Sequence, residues 1–207
     1  MSDIQATETV YLVDDDVAML KALSRLLRTH GWHVLTFGSA EAFLESRDGR
    51  APACLVLDVS LPGLDGIELQ RRLVETRQTM PIVFLTGQGD IPTSVQAMKA
   101  GASNFLTKPV NAETLSAAIR LAMDEARAAL SSRMETTELR QRLAGLTVRE
   151  REVLDAIGAG KLNKQIAGDL GVVEQTVKFH RARIMERMHA RTAAELMLMV
   201  AMLRGET

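Results

Sequence analysis

The chain has 207 residues, of which 46% are hydrophobic and 25% charged, with a net charge of −1. That length suits two domains, and that balance fits a globular chain able to bury cores. A lone cysteine, Cys54, excludes an internal disulfide or a Cys-based zinc site, seven aromatic residues are too few for a single-strand stacking platform, and no apolar run reaches membrane-spanning length.

Residues 1–9 are polar. No secretory apolar segment follows Met1, which places the expected location in the cytoplasm. Val10–Val13 reads as a strand ending in Asp14-Asp15-Asp16. Val17–His30 carries Met19, Leu20, Leu23, Leu26 and Leu27 at helical spacing and stops at Gly31. A second strand covers Val34–Phe37, and Ser39 can cap a helix over Ala40–Ser46. Cys54–Asp58 is an apolar run bounded by Pro52 and by Pro62-Gly63, the signature of a strand buried on both faces. A helix over Ile67–Thr76 and a strand over Pro81–Thr86 follow. Pro92 opens a helix to about Lys99, Asn104–Thr107 is a short strand, and Asn111 starts another helix. Five alternations of strand and helix predict a doubly wound parallel sheet over residues 1–125.

Helical spacing continues through Ala126, Leu130 and Met134 with no Gly or Pro, so residues 126–144 read as a helical linker. Residues 145–207 predict an all-helical second domain. Thr147 and Glu150 form a capping box, as do Thr192 and Glu195. Helices are expected over Asn163–Leu170, broken by Gly171, and over Glu174–Met188. A last helix covers Leu196–Leu203, with Met197, Leu198 and Met202 turned away from its core side. The charge is uneven: residues 1–125 carry 11 Lys/Arg and 16 Asp/Glu, whereas residues 145–207 carry 10 and 8. This points to a metal-binding front and a polyanion-binding back.

Asp14 and Asp15 end the first strand, Asp58 the third and Thr86 the fourth, and Lys108 follows the fifth. In a doubly wound sheet these ends share one edge, where ligands collect. Carboxylates a few ångströms apart repel by roughly 4 kcal/mol per pair at an effective dielectric of about 20, so the cluster calls for a cation or a shared proton. All-oxygen ligands suit Mg²⁺. A nucleophilic carboxylate, a hydroxyl, a metal and an ammonium are the parts of phosphoryl transfer to Asp58. Any one of these acids alone is more simply a helix cap, and Asp16 is assigned to capping or to a place just beyond the site.

Val13-Asp14-Asp15, Leu57–Gly63, Phe84–Asp90 and the stretch from Ala97 to Pro109 resemble a response-regulator receiver domain. Ser39–Leu44 and Gly87–Pro92 are most similar to its FixJ branch. The resemblance implies a flavodoxin-like (βα)5 fold and phosphorylation of Asp58 by a sensor histidine kinase. It implies Mg²⁺ on Asp14, Asp15, Asp58 and the Ser60 backbone carbonyl. Lys108 would contact the phosphoryl group before a cis Pro109, and Thr86 and Phe105 would form a switch pair.

Leu146–Leu154, Gly160–Ala167 and Gln175–Met185 resemble a LuxR/GerE-type helix-turn-helix domain of four helices. That implies binding to a double-stranded DNA operator with helix 174–188 in the major groove, Lys178 and Phe179 nearest the bases. Gln175 and Ala182 share that stripe. Asn163, Lys164, Gln165, Thr176, Arg181, Arg183 and Arg187 are candidate phosphate contacts, and His180 is assigned to the core. Val173 and Leu162 stand where this family places capping hydroxyls, leaving Asn163 as a substitute cap at the second.

The expected function is a phosphorylation-dependent transcriptional regulator that dimerises and binds a two-fold operator, with RNA polymerase as a further partner and no membrane. The family's fourth helix dimerises, and the receiver would pair through the face made by 92–99, 104–107 and 111–125. The rival is a DNA-binding regulator whose receiver is controlled by protein contact. A free-standing phosphohydrolase is disfavoured because Ser60 stands where its second acid-base Asp is needed. No enzymatic activity is expected beyond self-phosphorylation and dephosphorylation.

Overall fold

The computed structural model describes residues 8–46, 52–76, 80–87 and 91–204. Most of the polar start and Gln88-Gly89-Asp90 of the 84–90 motif lie outside the described residues. Residues up to Leu130 form one compact unit, and residues from Ser131 another.

In the first unit five parallel strands pair in the order β2-β1-β3-β4-β5, where β1 is Thr9–Val13, β2 His33–Phe37, β3 Ala53–Asp58, β4 Ile82–Thr86 and β5 Asn104–Thr107. The three central strands are buried almost throughout, as their unbroken apolar runs require. Their side chains alternate between two cores. Val10, Leu12, Val56 and Val83 meet Leu20, Leu23 and Leu27 of α1 (Val17–Thr29) and Leu115, Ile119 and Met123 of α5 (Ala112–Ala144). Tyr11, Val13, Leu55, Leu57 and Phe84 meet Phe43 of α2 (Ala40–Ser46) and Leu69 and Leu73 of α3 (Gly66–Glu75). Ala97 of α4 (Ile91–Lys99) joins the second core. This is the flavodoxin-like doubly wound fold.

Short polar side chains start the helices where their N–H groups need acceptors. Asp16 Oδ1 accepts from Ala18 N at 2.8 Å and Met19 N at 3.2 Å. Ser39 accepts from Ala42 N, and Asn111 from Thr114 N at 2.7 Å. Asp65 Oδ1 accepts from Glu68 N at 2.7 Å.

Helix α5 runs unbroken for 33 residues. The stretch 126–144 is helical throughout, but its ends belong to cores. Ala126 joins the first unit's core and Leu143 packs on the second's.

The second unit holds α6 (Val148–Gly158), α7 (Asn163–Leu170), α8 (Glu174–Met188) and α9 (Ala193–Arg204). Its core is Val153, Leu154, Ile157, Ile166, Val177, Ile184, Met188, Leu196 and Val200. The Thr147–Glu150 capping box forms as expected. At Thr192 it forms by half. Thr192 Oγ1 accepts from Glu195 N, but the Glu195 carboxylate reaches past Thr192 to Arg191 N at 2.7 Å. Gly171 ends α7 with φ 64°, a conformation that disfavours other residues, and Val172 follows into the turn. On α9, Leu198 and Met202 are exposed as expected, whereas Met197 packs against the core.

Candidate functional site

The strand order places β1 beside β3, so their C-terminal residues adjoin at the point where the chain reverses its direction of winding. Val13 pairs with Leu57 and Asp58 with Leu85. Asp14 and Asp58 are buried, whereas Asp15 is exposed. One carboxylate oxygen from each of the three lies within 4.8 Å of the others. Lys108 arrives from the turn after β5. Its Nζ donates to Asp14 Oδ2 at 2.6 Å and Asp58 Oδ2 at 2.7 Å. The remaining oxygens are fixed locally: Asp14 Oδ1 accepts from Asp16 N at 2.9 Å, and Asp58 Oδ1 from Ser60 N at 3.1 Å. Partial burial pushes the Lys108 ammonium down, but its hydrogen bonds to Asp14 and Asp58 and their charges outweigh that and leave it above its ordinary value.

Thr86 is buried at the end of β4, and its carbonyl accepts from Lys108 N at 2.7 Å. The Lys108–Pro109 peptide is cis. Phe105 is half-buried and pairs with Phe84 across β4 and β5, with ring centroids 6.0 Å apart. Ser60 is exposed in the turn just past Asp58. Burial pushes the Cys54 thiol up to about 12, in keeping with an inert core residue.

Two residues that shape this site carry no obvious chemical signature. A methyl group on Gly66 would lie 2.4 Å from the carbonyl oxygen of Asp58. The bare Cα lets α3 start against the end of β3. Glu41 Oε1 accepts from Leu64 N at 3.3 Å and ties α2 to the loop after Asp58. A glycine opening a helix is a signal that could have flagged Gly66. Glu41 offers none.

The structure separates the expected nucleic-acid contacts by environment. Gln175, Lys178, Phe179, Ala182 and Arg183 of α8 are exposed, as are Lys164 and Gln165 of α7. Lys178 pairs with Glu174 at 3.4 Å. Asn163 and Thr176 are half-buried near the starts of their helices. Arg181 is half-buried and lines a cleft with Lys161, Lys164, Glu174 and Met197. Arg187 is exposed, but its guanidinium is bonded within its own domain. Its Nη1 donates to the Gly145 carbonyl at 2.7 Å and lies 3.5 Å from Glu150 Oε2. The Glu150 carboxyl is held below its ordinary value, first by the Thr147 backbone N–H, with Arg187 adding to this. His180, expected in the core, is half-buried and meets the Phe179 ring edge-on at 5.8 Å. Val173 provides no side-chain cap. At Leu162 the substitute is Gln165, whose Oε1 accepts from Leu162 N at 2.8 Å, while Asn163 is the first helical residue.

Residues 10–120 match the family described as "Response regulator receiver domain", and residues 144–200 match "Bacterial regulatory proteins, luxR family". The chain is 43% identical over 187 residues to the response regulator protein TmoT of Ectopseudomonas mendocina, covering 90% of this chain and 85% of that one. It is 40% identical over 187 residues to the transcriptional regulatory protein FixJ of Bradyrhizobium diazoefficiens, covering 90% and 91%. Among solved structures, the response regulator StyR superposes with a TM-score of 0.82 at 44% identity, covering 94% of this chain and 98% of that one. The chain therefore belongs to the response regulators. Within them it is of the FixJ/NarL type, a two-component regulator with a receiver and a LuxR-type DNA-binding domain, and the families matched are regulatory rather than enzymatic. Among the described residues no helix is long and apolar enough to cross a membrane.

Proposed function

We propose that Asp58 accepts a phosphoryl group from a sensor histidine kinase, and that this controls dimerisation and operator binding. The observation that carries the reading is the Lys108 ammonium held between Asp14 and Asp58 beside an exposed Asp15. An Asp58 carboxylate oxygen attacks phosphorus, the bond from phosphorus to the kinase histidine nitrogen breaks, and that nitrogen keeps the electron pair. With a proton on the other nitrogen of that ring, the products are an acyl phosphate and a neutral imidazole. Asp14, Asp15, Asp58 and the Ser60 carbonyl would hold Mg²⁺, which supplies positive charge to the phosphoryl oxygens. The donor set fits, since it is all oxygen and the carboxylate oxygens of Asp14, Asp15 and Asp58 lie close enough to share one ion.

Once Asp58 has been modified, Lys108 exchanges its bond to the Asp58 oxygen for one to the phosphoryl group. The Thr86 hydroxyl and the half-buried Phe105 ring follow, and the receiver pairs with a second copy. Two LuxR-type domains then present their α8 helices to a two-fold operator, with RNA polymerase as the downstream partner.

The test is Asp58→Asn, which keeps the shape and removes the acceptor. Wild type treated with a small acyl phosphate and Mg²⁺ should gain a covalent phosphate, a larger dimer fraction and a two-fold footprint. The variant should gain none of these, and full stimulation in it refutes the assignment.

A further inference from the structure

We propose that Arg183 and Phe179 together form the base-reading element of α8, with Arg183 on a guanine and Phe179 against the methyl group of a neighbouring thymine. The inference rests on the DNA-binding reading and specifies which side chains select the sequence.

The arginines of this unit divide by what they touch. Arg142 Nη1 donates to the Met188 carbonyl at 3.3 Å, Arg149 Nη2 to Leu170 at 2.6 Å, Arg151 Nη2 to Ala144 at 2.8 Å and Arg187 Nη1 to Gly145 at 2.7 Å. Each closes the carbonyl end of a helix or the turn beside it. These four are stapled into the domain and are poor candidates to leave it. Arg183 is different. Its nearest carboxylate is Glu186 at 3.8 Å, beyond hydrogen-bond range, and its guanidinium lies over the Phe179 ring, 5.5 Å from the centroid.

Phe179 is 57% exposed on the same helix, so its ring is accessible to a groove. Its flank is set by His180, edge-on at 5.8 Å. One turn of helix separates residues 179 and 183, so both project from one stripe. The ring restrains the guanidinium without using its donors, leaving the planar fork free. A fork of that kind pairs bidentately with O6 and N7 of guanine, and an apolar ring suits a thymine methyl. Side chains that touch each other reach neighbouring parts of a groove, so they address adjoining pairs. Ala182, exposed between them in sequence, offers no hydrogen bond that would compete.

The experiment selects duplexes from a random double-stranded pool with the full chain, phosphorylated by a small acyl phosphate, and repeats the selection with Arg183→Ala, Arg183→Lys and Phe179→Ala. Folding is checked by thermal melting, which these exposed substitutions should leave near wild type. Wild type should enrich half-sites holding a guanine next to a thymine. Arg183→Ala should lose the guanine preference, roughly five- to hundred-fold in relative affinity, and Arg183→Lys, without the planar fork, should keep only part of it. Replacing that thymine by uracil removes the methyl group alone, and it should weaken wild type while leaving Phe179→Ala unaffected. An enriched site whose guanine preference survives Arg183→Ala, or a uracil effect unchanged by Phe179→Ala, overturns the base assignment and leaves the DNA-binding reading standing. No enrichment by wild type overturns both.

Discussion

Gly66→Ala is the smallest perturbation that should disable the carboxylate site without touching any of its charged groups. The added methyl would sit 2.4 Å from the Asp58 carbonyl oxygen and 3.1 Å from the Val59 Cα, whereas ordinary contact begins at 3.4 Å. Both neighbours are backbone and cannot rotate away. Either the start of α3 retreats or the end of β3 is pushed, by about 1 Å. Retreat strains the bond from Gly66 N to the Val59 carbonyl, now 3.0 Å. Pushing β3 moves Asp58 and the Ser60 N–H that holds its Oδ1. Overpacking of this kind costs about 1–3 kcal/mol, or roughly 5–15 °C of melting temperature for a unit this size. Covalent phosphate uptake from a small donor should fall together with stability. Gly38→Ala, at another glycine with open space around its Cα, is the control and should change neither. A Gly66→Ala chain with wild-type melting and wild-type uptake would show that this close approach does not position Asp58.

Two further outcomes follow from the charges. Lys108→Met leaves Asp14 and Asp58 buried side by side without their shared cation, which should cost roughly 3–5 kcal/mol in chelator. Mg²⁺ should restore more of the melting temperature in the variant than in wild type, and equal gains would count against a shared site. In wild type the Lys108 contribution is complete below its unfolded value and is lost only as pH rises through a folded value lying higher still. Glu150 has the opposite sign. Its folded value is lowered, so its contribution is present above the usual carboxylate range and fades as pH falls through the depressed value. The stability gap between wild type and Glu150→Gln should narrow in urea titrations carried from neutral to acid pH, and a gap that persists at low pH argues against the assignment.

The chemistry at the sheet edge was legible because it is written in local signals. Apolar runs ending on Asp14, Asp58 and Thr86 mark strand ends, and alternation with helices brings those ends to one edge. Ser39 and Asn111 were readable as helix starts for the same reason, since each side chain and the N–H it accepts from lie within one turn. What escaped the sequence depends on distant partners. Nothing near Gly66 announces the Asp58 carbonyl, and nothing in Glu41 announces the Leu64 N–H it holds from 23 residues away. At Leu162 the missing cap was correctly noticed, but the replacement came from Gln165 because a side chain three residues on reaches back over the first turn. His180 is half-buried rather than fully in the core, and Met197, expected on the outer side of its helix, packs against the core.

The same distinction bears on the basic excess of the second unit, which the sequence alone assigns to phosphate binding. Residues 145–207 hold 10 Lys/Arg. Arg149, Arg151 and Arg187 are committed to backbone carbonyls and Lys161 to Asp169 at 2.7 Å. Each phosphate neutralised contributes about −0.9 to the slope of log affinity against log salt. If every cation met a phosphate, the slope would approach about −9 per domain. With Arg183 on a base and Lys164, Lys178, Arg181 and Arg191 as phosphate ligands, it should lie at about −4. Fluorescence anisotropy of a labelled duplex between about 50 and 200 mM salt measures it. The decisive comparison is between two cations of one helix. Lys178→Met should flatten the slope by about 0.9 and leave the melting temperature alone. Arg187→Met should lower the melting temperature and leave the slope alone, because its charge already serves Gly145 and Glu150. A flattened slope in Arg187→Met would return that side chain to the DNA surface and undo the division of labour drawn here.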